Sequence, residues 1–500
     1  MPPLHPKRNG SSFDPGSNAG THPYILSKKP SQTYSAVLFT IHAPMKKTYH
    51  IWTIGCQMNE ADSRHLSSQL ETLGYQESNE ADSADLVVLN TCVIRQQAED
   101  KAVGRLTSLN RIKMKRPDMT IGLMGCMVGM REAPSLKKRF PYVDVFMPPS
   151  DTEPLLTYLG DQRELDESYL LETREKAVLN AVQDQEHILP ALRRNSTVIA
   201  HVPIVLGCSH ACSFCVIPYR RGSERSRPAA EIVHEVQRLV DQGVREVMLL
   251  GQIVDRYGMD LEQIDLADLL HQVAAIDGLL RIRFLTSHPN WMTDKLLDAV
   301  AELDKVCPHI EVPVQAGNDE VLENMRRGYT NAEYRTLIQR IRSRMPDTAI
   351  NSDIIVGFPG ETDEQFMDTW HLMNDLRLDK LHIAKYSERP KTIAARQMPD
   401  DVSADEKERR RKMLDDMQTE ILTEKNQQYV GTTVEILIED RQKGRWRGRT
   451  PDNRLVFFDD ERHLTGALVN VTIAWSGPYS MIGALDEILV EPLQPALVEA

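Results

Sequence analysis

Val198–Gly222 reads VIAHVPIVLGCSHACSFCVIPYRRG. A short β-branched, apolar run ends in Gly-Cys, and three cysteines, Cys208, Cys212 and Cys215, follow as C-x3-C-x2-C. Such a run predicts a strand, so the thiols fall in the loop directly after it. Downstream come REVMLLGQ (245–252), RIRFLTSHP (281–289), HIEVPVQAG (309–317), NSDIIVGFPG (351–360) and KLHIAKYS (380–387), with helical segments such as NAEYRTLIQRIRSRM (331–345) between them. Strand-helix alternation predicts a parallel sheet with right-handed crossovers. A closed eight-unit barrel takes ~250 residues, and six units in roughly 200 predict an open (β/α) partial TIM barrel. Active sites of such barrels lie at the C-terminal strand ends, where the thiol loop sits.

Upstream, YHIWTIGC (49–56), ADLVVLNTC (84–92) and TIGLMGC (120–126) alternate with helical segments such as NEADSRHLSSQLETLG (59–74). This predicts a second α/β unit, a doubly wound parallel sheet. Each strand ends in a cysteine: Cys56, Cys92 and Cys126. Parallel strand ends share one edge, where open α/β sheets bind ligands, so the three thiols are expected to converge. Taken singly, each is an ordinary buried thiol, and the repetition is what points to a second triad. Cys307 lies at the wrong end of its strand and reads as a core thiol.

Three thiolates from one loop can hold three irons of a 4Fe-4S cube and leave the fourth open. The competing reading is structural zinc with His210 as fourth ligand. Phe214 reads as packing at the barrel mouth. Gly251, Gln252 and Gln315 end strands on the active face, where backbone approach and amide hydrogen bonds suit the polar end of a cofactor. His288 reads as a hydrogen-bonded structural residue. Arg220, Arg221, Arg225 and Arg227 place positive charge beside the loop, on the path of an entering anionic backbone.

After a charged helix (405–428), short strands TTVEILIED, RWRGRT, NRLVFFD, ALVNVTIAWSG and SMIGAL predict a small β-barrel. Arg441, Lys443, Arg445, Arg447 and Arg449 surround Trp446, a pattern that suits single-stranded RNA if the indole is exposed and a barrel core if it is not. The expected organisation is a disordered tail (1–45), the N-terminal domain (46–162), a linker (163–193), the central domain (194–425), the small barrel (426–490) and a tail (491–500). Hydrophobic content of 41% with 26% charged residues is that of a soluble protein, and no apolar run approaches the ~20 residues of a membrane span. Seven cysteines are too sparse for a secreted disulfide framework and point to reduced thiols in the cytoplasm. A net charge of -13 argues against a general basic DNA-coating protein and leaves a local basic patch for any nucleic-acid contact.

Two cysteine triads in this order, with GCQMNEADS (55–63), NTCVIR (90–95) and a terminal barrel, resemble the radical SAM methylthiotransferase family over residues 46–490. Gln57, Met58, Asn59 and Glu60 are similar to its branch acting on isopentenylated (dimethylallyl) adenosine in tRNA rather than to the branch acting on a ribosomal-protein aspartate. The resemblance implies two 4Fe-4S clusters and S-adenosylmethionine (SAM). The Cys208 set would bind SAM and cleave it to a radical; the Cys56 set would carry the sulfur. One SAM would methylate that sulfur and another yield the radical that attacks adenine carbon 2. It further implies a TRAM-like, RNA-binding terminal barrel. Expected partners are the tRNA anticodon loop, a reducing electron donor and a sulfur source, with the enzyme a monomer. Alternatives are a threonylcarbamoyl-adenosine tRNA substrate, the ribosomal-protein aspartate, or a non-catalytic RNA-binding iron-sulfur protein. Three segments depart from the family pattern: GQIVDRYG (251–258) for GQNVNSYG, EVPVQAGN (311–318) for HLPVQSGS, and YSERPKT (386–392) for YSPRPGT.

Overall fold

The structure, a computed structural model, describes residues 47–93, 96–164, 189–190 and 193–494. The expected N-terminal tail and nearly all of the linker lie outside those residues.

The first strands are β1 (Thr48–Thr53), β2 (Gln76–Glu77), β3 (Leu86–Thr91), β4 (Thr120–Gly125) and β5 (Val145–Met147), in a five-stranded sheet of order β2-β1-β3-β4-β5. Every pairing is parallel. Side chains alternate across a strand, and β3 shows the result. Leu86 and Val88 pack with Leu66 and Leu70 of α1 (Gln57–Thr72), while Val87 and Leu89 pack with Ala102, Leu106 and Leu109 of α2 (Gln96–Lys113). Helices thus cover both faces, as a doubly wound sheet requires.

The central barrel has six parallel strands in chain order. They are β6 (Ile199–Pro203), β9 (Glu246–Leu250) and β10 (Arg281–Phe284), then β11 (His309–Glu311), β12 (Ala349–Val356) and β13 (Lys380–Lys385). The two triplets meet where Ile282 bridges Val306 and Cys307 N donates to Ile282 O at 2.9 Å. VIAHVPIVLGC, read as one strand, is two. Ile204 is followed by β7 (Val205–Leu206), which leaves the barrel and pairs antiparallel with β8 (Arg225–Ser226). Ile204 N still donates to Leu250 O, but its carbonyl accepts from Arg227 N, so the chain turns out of the barrel there. The β7/β8 ribbon closes the base of the thiol loop.

An open barrel leaves an edge strand that must be covered. Helix α1 covers β6: Arg64 Nη2 donates to His201 O at 3.0 Å and to Glu235 at 2.7 Å, and Glu60 pairs with His201 Nδ1 at 3.0 Å. Glu235 also pairs with Arg227 at 2.7 Å.

Strands β14 (Thr433–Gln442), β15 (Arg445–Arg449), β16 (Leu455–Phe458), β17 (Leu468–Ser476) and β18 (Met481–Val490) form the closed terminal barrel. It docks at the N-terminal ends of the central strands. Arg245 donates to Gly466 O at 2.6 Å, Arg281 to Arg449 O at 2.6 Å and Arg283 to Thr450 O and Pro451 O at 2.8 and 2.7 Å. Arg283 is also paired with buried Glu246 at 2.9 Å. A buried ion pair is tolerated only when its remaining donors are satisfied, and these carbonyls satisfy them. The terminal barrel and the thiol loop therefore occupy opposite ends of the central domain. Among the described residues no helix is long and apolar enough to cross a membrane.

Candidate metal centre

The thiol loop is held by backbone geometry. Gly207 has φ +71°, and a Cβ there would stand 2.1 Å from Ser223 O, so only glycine permits the close return of the chain before Cys208. Cys208 N donates to Gly222 O at 3.1 Å and Cys215 N to Cys212 O at 3.2 Å. Ser213 pins the loop centre from three directions: its N donates to Met325 O, its Oγ to Asn324 O, and its carbonyl accepts from Ala394 N. The loop encloses a cavity of about 270 Å³ lined by Cys208, His210, Cys212, Cys215, Tyr219 and Ile393, among others.

All three thiols are free. Burial pushes Cys208 up to about 11 and Cys215 up to about 12, the Cys212 sulfur adding to the latter. Such thiols are inert unless a cation or metal stabilises the thiolate. Buried Arg327 donates Nη1 to Cys212 Sγ at 3.1 Å, with its other nitrogens fixed on Tyr329 OH and Pro313 O. Cys208, Cys212 and Cys215 line one cavity, and three thiolates on different irons are the donor set that a four-iron cube with one open iron takes.

Behind the loop, His210 lies 3.3 Å from Cys212 Sγ and packs on His288 and Trp291 with ring centroids 4.8 and 5.5 Å away. His288 is only half satisfied. Its Nδ1 accepts from Asn290 N at 3.3 Å, but its buried Nε2 has no partner among the described residues. Burial, with Arg327 adding, pushes its pKa down to about 2, so the ring is neutral.

The departures from the family pattern fall here. Asp255 accepts from His288 N at 3.0 Å and Arg256 stacks over Trp291 at 4.4 Å while pairing with Glu224 at 2.9 Å. Burial raises the Asp255 carboxyl to about 7. Lys391 takes φ +76°, the backbone region glycine favours, and its ammonium pairs with Glu132 beyond the second triad.

Cys56, Cys92 and Cys126 follow β1, β3 and β4, three adjacent strands of one sheet ~4.8 Å apart, so the parallel register brings the thiols to one edge. Cys56 occupies the N-cap position of α1. Its Sγ lies 3.4 Å from Asn59 Oδ1, and buried Asn59 donates to Asn90 Oδ1 at 2.7 Å and to Thr91 O at 3.1 Å. Asn59 thus ties the first thiol to the strand that carries the second. Gly125, at φ +96°, sets Cys126; a Cβ there would lie 2.5 Å from Thr91 O. Burial pushes the Cys126 thiol up to about 11, with Arg221 acting in the opposite direction.

The triads are neighbours. Helices α3 (Ala133–Arg139) and α4 (Glu153–Glu164) complete the N-terminal domain, and α5 (Ile217–Arg221) begins two residues after Cys215. Val216 packs in the same apolar cluster as Cys126 and Val128 of the N-terminal sheet. Arg221, the last residue of α5, lies beside Cys126. The helix spans ~7.5 Å.

Several expected contacts fall elsewhere. Arg221 is buried, Arg220 turns towards Glu132 and Arg227 pairs with Glu235, so of the four loop arginines only Arg225 faces solvent. Phe214 packs on the barrel core, and neither it nor Gly251, Gln252 or Gln315 lines the cavity. A Cβ on Gly251 would lie 3.0 Å from Val254 Cα, and Gln315, at φ +76°, continues the sheet by pairing with Asp353 and Ile355. Cys307 is buried beside Arg283 and Glu246, by the terminal barrel.

In that barrel the expectation of an exposed Trp446 is corrected. Its ring is 4% exposed, packed with Ile436, Phe458 and Met481, and its Nε1 donates to Asp460 O. Alternation along β15 turns Trp446 inward. Arg447 and Arg449 pair with Glu439, Arg445 with Asp459; Arg441 and Lys443 are exposed at the hairpin. The exposed aromatics are Trp475 and Tyr479, 53% and 64% accessible, either side of Gly477-Pro478. An aromatic on each flank of a Gly-Pro turn was the available sequence signal.

Three family models match the chain: Radical SAM superfamily over residues 202–373, Uncharacterized protein family UPF0004 over 48–148 and TRAM domain over 427–484. Among relatives, a protein of Roseiflexus sp. (strain RS-1) is 46% identical over 88% of this chain and 90% of its own. One of Chloroflexus aurantiacus is 45% identical over 91% and 96%. Both are named tRNA-2-methylthio-N(6)-dimethylallyladenosine synthase. The radical S-adenosylmethionine methyltransferase TsrM from Kitasatospora setae superposes on 70% of this chain and 77% of its own, with TM-score 0.49 and 15% identity.

Proposed function

The chain belongs to the family of tRNA-2-methylthio-N(6)-dimethylallyladenosine synthases, and on that premise we propose that it transfers a methylthio group to carbon 2 of dimethylallyladenosine beside the tRNA anticodon. The observation that carries this reading is the presence of two free thiol triads, at the C-terminal ends of two parallel sheets, joined by one five-residue helix.

In this reading Cys208, Cys212 and Cys215 hold a 4Fe-4S cluster with an iron left for SAM, and Cys56, Cys92 and Cys126 hold a second. The clusters and SAM supply the radical and sulfur chemistry when bound. This chain's residues do the positioning. Arg327 stabilises the Cys212 thiolate, Asn59 orients Cys56, and Ser213 fixes the loop. Tyr219 and Ile393 line the cavity. Phe214, Gly251, Gln252 and Gln315, which do not line this cavity, would contact SAM only beyond it. An electron donor and a sulfur source complete the cycle in the cytoplasm. The working domains are residues 46–162, 194–425 and 426–490.

The test is anaerobic turnover with reductant and SAM on tRNA carrying dimethylallyladenosine, threonylcarbamoyl-adenosine or plain adenosine, read by nucleoside mass analysis. Methylthio product from the first alone is expected. Product from the second alone would move the enzyme to the threonylcarbamoyl branch, and SAM left intact in all three would favour the non-catalytic reading.

For the terminal barrel we assign RNA stacking to Trp475 and Tyr479, with Arg441, Lys443 and Arg445 as phosphate contacts. Trp475→Ala should weaken tRNA binding by about 1–3 kcal/mol, or roughly 5- to 150-fold, in an equilibrium binding assay without lowering the melting temperature. Unchanged affinity would remove Trp475 from the interface. Trp446→Ala should instead destabilise the barrel by about 3–5 kcal/mol.

A further inference from the structure

Arg221 stands in an arrangement that its protein neighbours leave incomplete. Its side chain is 3% exposed and that of Asp62 4%, yet the two charged groups stop 3.8 Å apart, beyond hydrogen-bond length. Asp62 Oδ1 accepts from Ser150 Oγ at 2.7 Å, and Arg221 Nη1 reaches the same hydroxyl at 3.4 Å. Arg221 Nε and Nη2 and Asp62 Oδ2 are buried with no hydrogen-bond partner among the described residues. A guanidinium carries five donors and cannot shed its charge, so a buried one with two idle N–H groups is costly. Besides Asp62 and Ser150, the groups that act on it are the sulfurs of Cys126 and Cys56, with the Cys126 sulfur within its reach as an acceptor. Arg327 shows the completed counterpart at the other triad, touching Cys212 with every nitrogen engaged.

We propose that Arg221 is the positioning residue and buried counter-cation of the sulfur centre held by Cys56, Cys92 and Cys126, with its Nε–H and Nη2–H donating to the sulfur of that centre. Three thiolates on a 2+ four-iron core leave one net negative charge, in an apolar setting with Cys126, Met127 and Val128, and one arginine neutralises it. Because Arg221 ends the helix that follows Cys215, the charge of one centre is set by a residue whose position the other centre's loop fixes. The inference rests on the two-cluster reading above.

The test is a redox titration of the full chain, reconstituted anaerobically, followed by electron paramagnetic resonance. The step that disappears in Cys126→Ala belongs to this centre; if none disappears, the two-cluster reading fails and the Arg221 inference falls with it. If one does, only Arg221 is in question. Hydrogen bonds and nearby charge tune cluster potentials, and a buried cation favours the reduced, more negative state. Arg221→Met should therefore lower this step by at least the ~59 mV that a tenfold one-electron change represents, with the other step unmoved. Arg221→Lys, which keeps the charge and loses the fork, should fall between. Asp62→Asn should move it upward, whereas a purely structural Arg221–Asp62 pair would give both variants the same loss of stability and no opposed shifts. Should Arg221→Met lose the step altogether, Arg221→Lys decides: a step below the native potential supports the proposal, and one at the native potential overturns it. An unshifted potential in Arg221→Met overturns it outright.

Discussion

Replacing Cys126 by alanine is expected to leave release of 5′-deoxyadenosine intact while methylthio product falls below detection. The thiols of each triad have their own backbone anchors, although Val216 and Arg221 link the two sites. Cys126 is set by Gly125 against Thr91 and by the core of the N-terminal sheet, whereas the Cys208 loop is held by the β7/β8 ribbon and by Ser213 on Asn324, Met325 and Ala394. Removing one thiol at the sheet edge therefore leaves the SAM-cleaving centre whole. The decisive measurement compares 5′-deoxyadenosine with methylthiolated nucleoside in one anaerobic reaction, on a variant that is folded and retains about half of roughly eight irons. Normal product would refute sulfur delivery from this triad. Loss of 5′-deoxyadenosine with the Cys208 centre intact would refute the division of labour.

Cys212→Ala is expected to abolish both products, a loss of several orders of magnitude in SAM cleavage. Two effects act together. The open-iron site loses a ligand, and Arg327, buried and aimed at Cys212 Sγ, loses its anionic partner, which by itself costs about 3–5 kcal/mol in comparable buried pairs. Cys307→Ala is the matched control. Cys307 is also buried, but beside Arg283 and Glu246 at the opposite end of the barrel, so both clusters and both products should survive. Iron analysis and SAM cleavage check the pair. Iron lost from the Cys307 variant, or SAM cleavage retained in the Cys212 variant, would overturn the ligand assignment.

The sequence showed the sites through backbone grammar. Gly207-Cys208 and Gly125-Cys126 are glycines at positive φ where a side chain would strike a carbonyl, so the thiols at those strand ends were legible before any contact was known. What the pattern around the loop did not show was direction. Arg221 and Arg227 look like solvent-facing basic residues in PYRRGSERSR; one is buried against the N-terminal sheet and the other joins Arg64 on Glu235, both decided by residues more than a hundred positions upstream or by packing of α1. Asp255 and Arg256, at the places where the chain departs from the family pattern, find His288 and Glu224 only across the barrel mouth.

By itself, then, the sequence determined most of the order of strands and helices, the open six-strand count, the closed terminal barrel, the three cysteines at the ends of parallel strands and the three of the C-x3-C-x2-C loop. These follow from periodicity and turn chemistry, which are local. Tertiary structure decided which side each basic or aromatic residue faces. Trp446 is inward and Trp475 outward because a closing barrel assigns alternate residues to its core. It also decided that the two triads meet across α5, because only packing of α1 on β6 and of Val216 into the N-terminal core brings two separately wound sheets edge to edge.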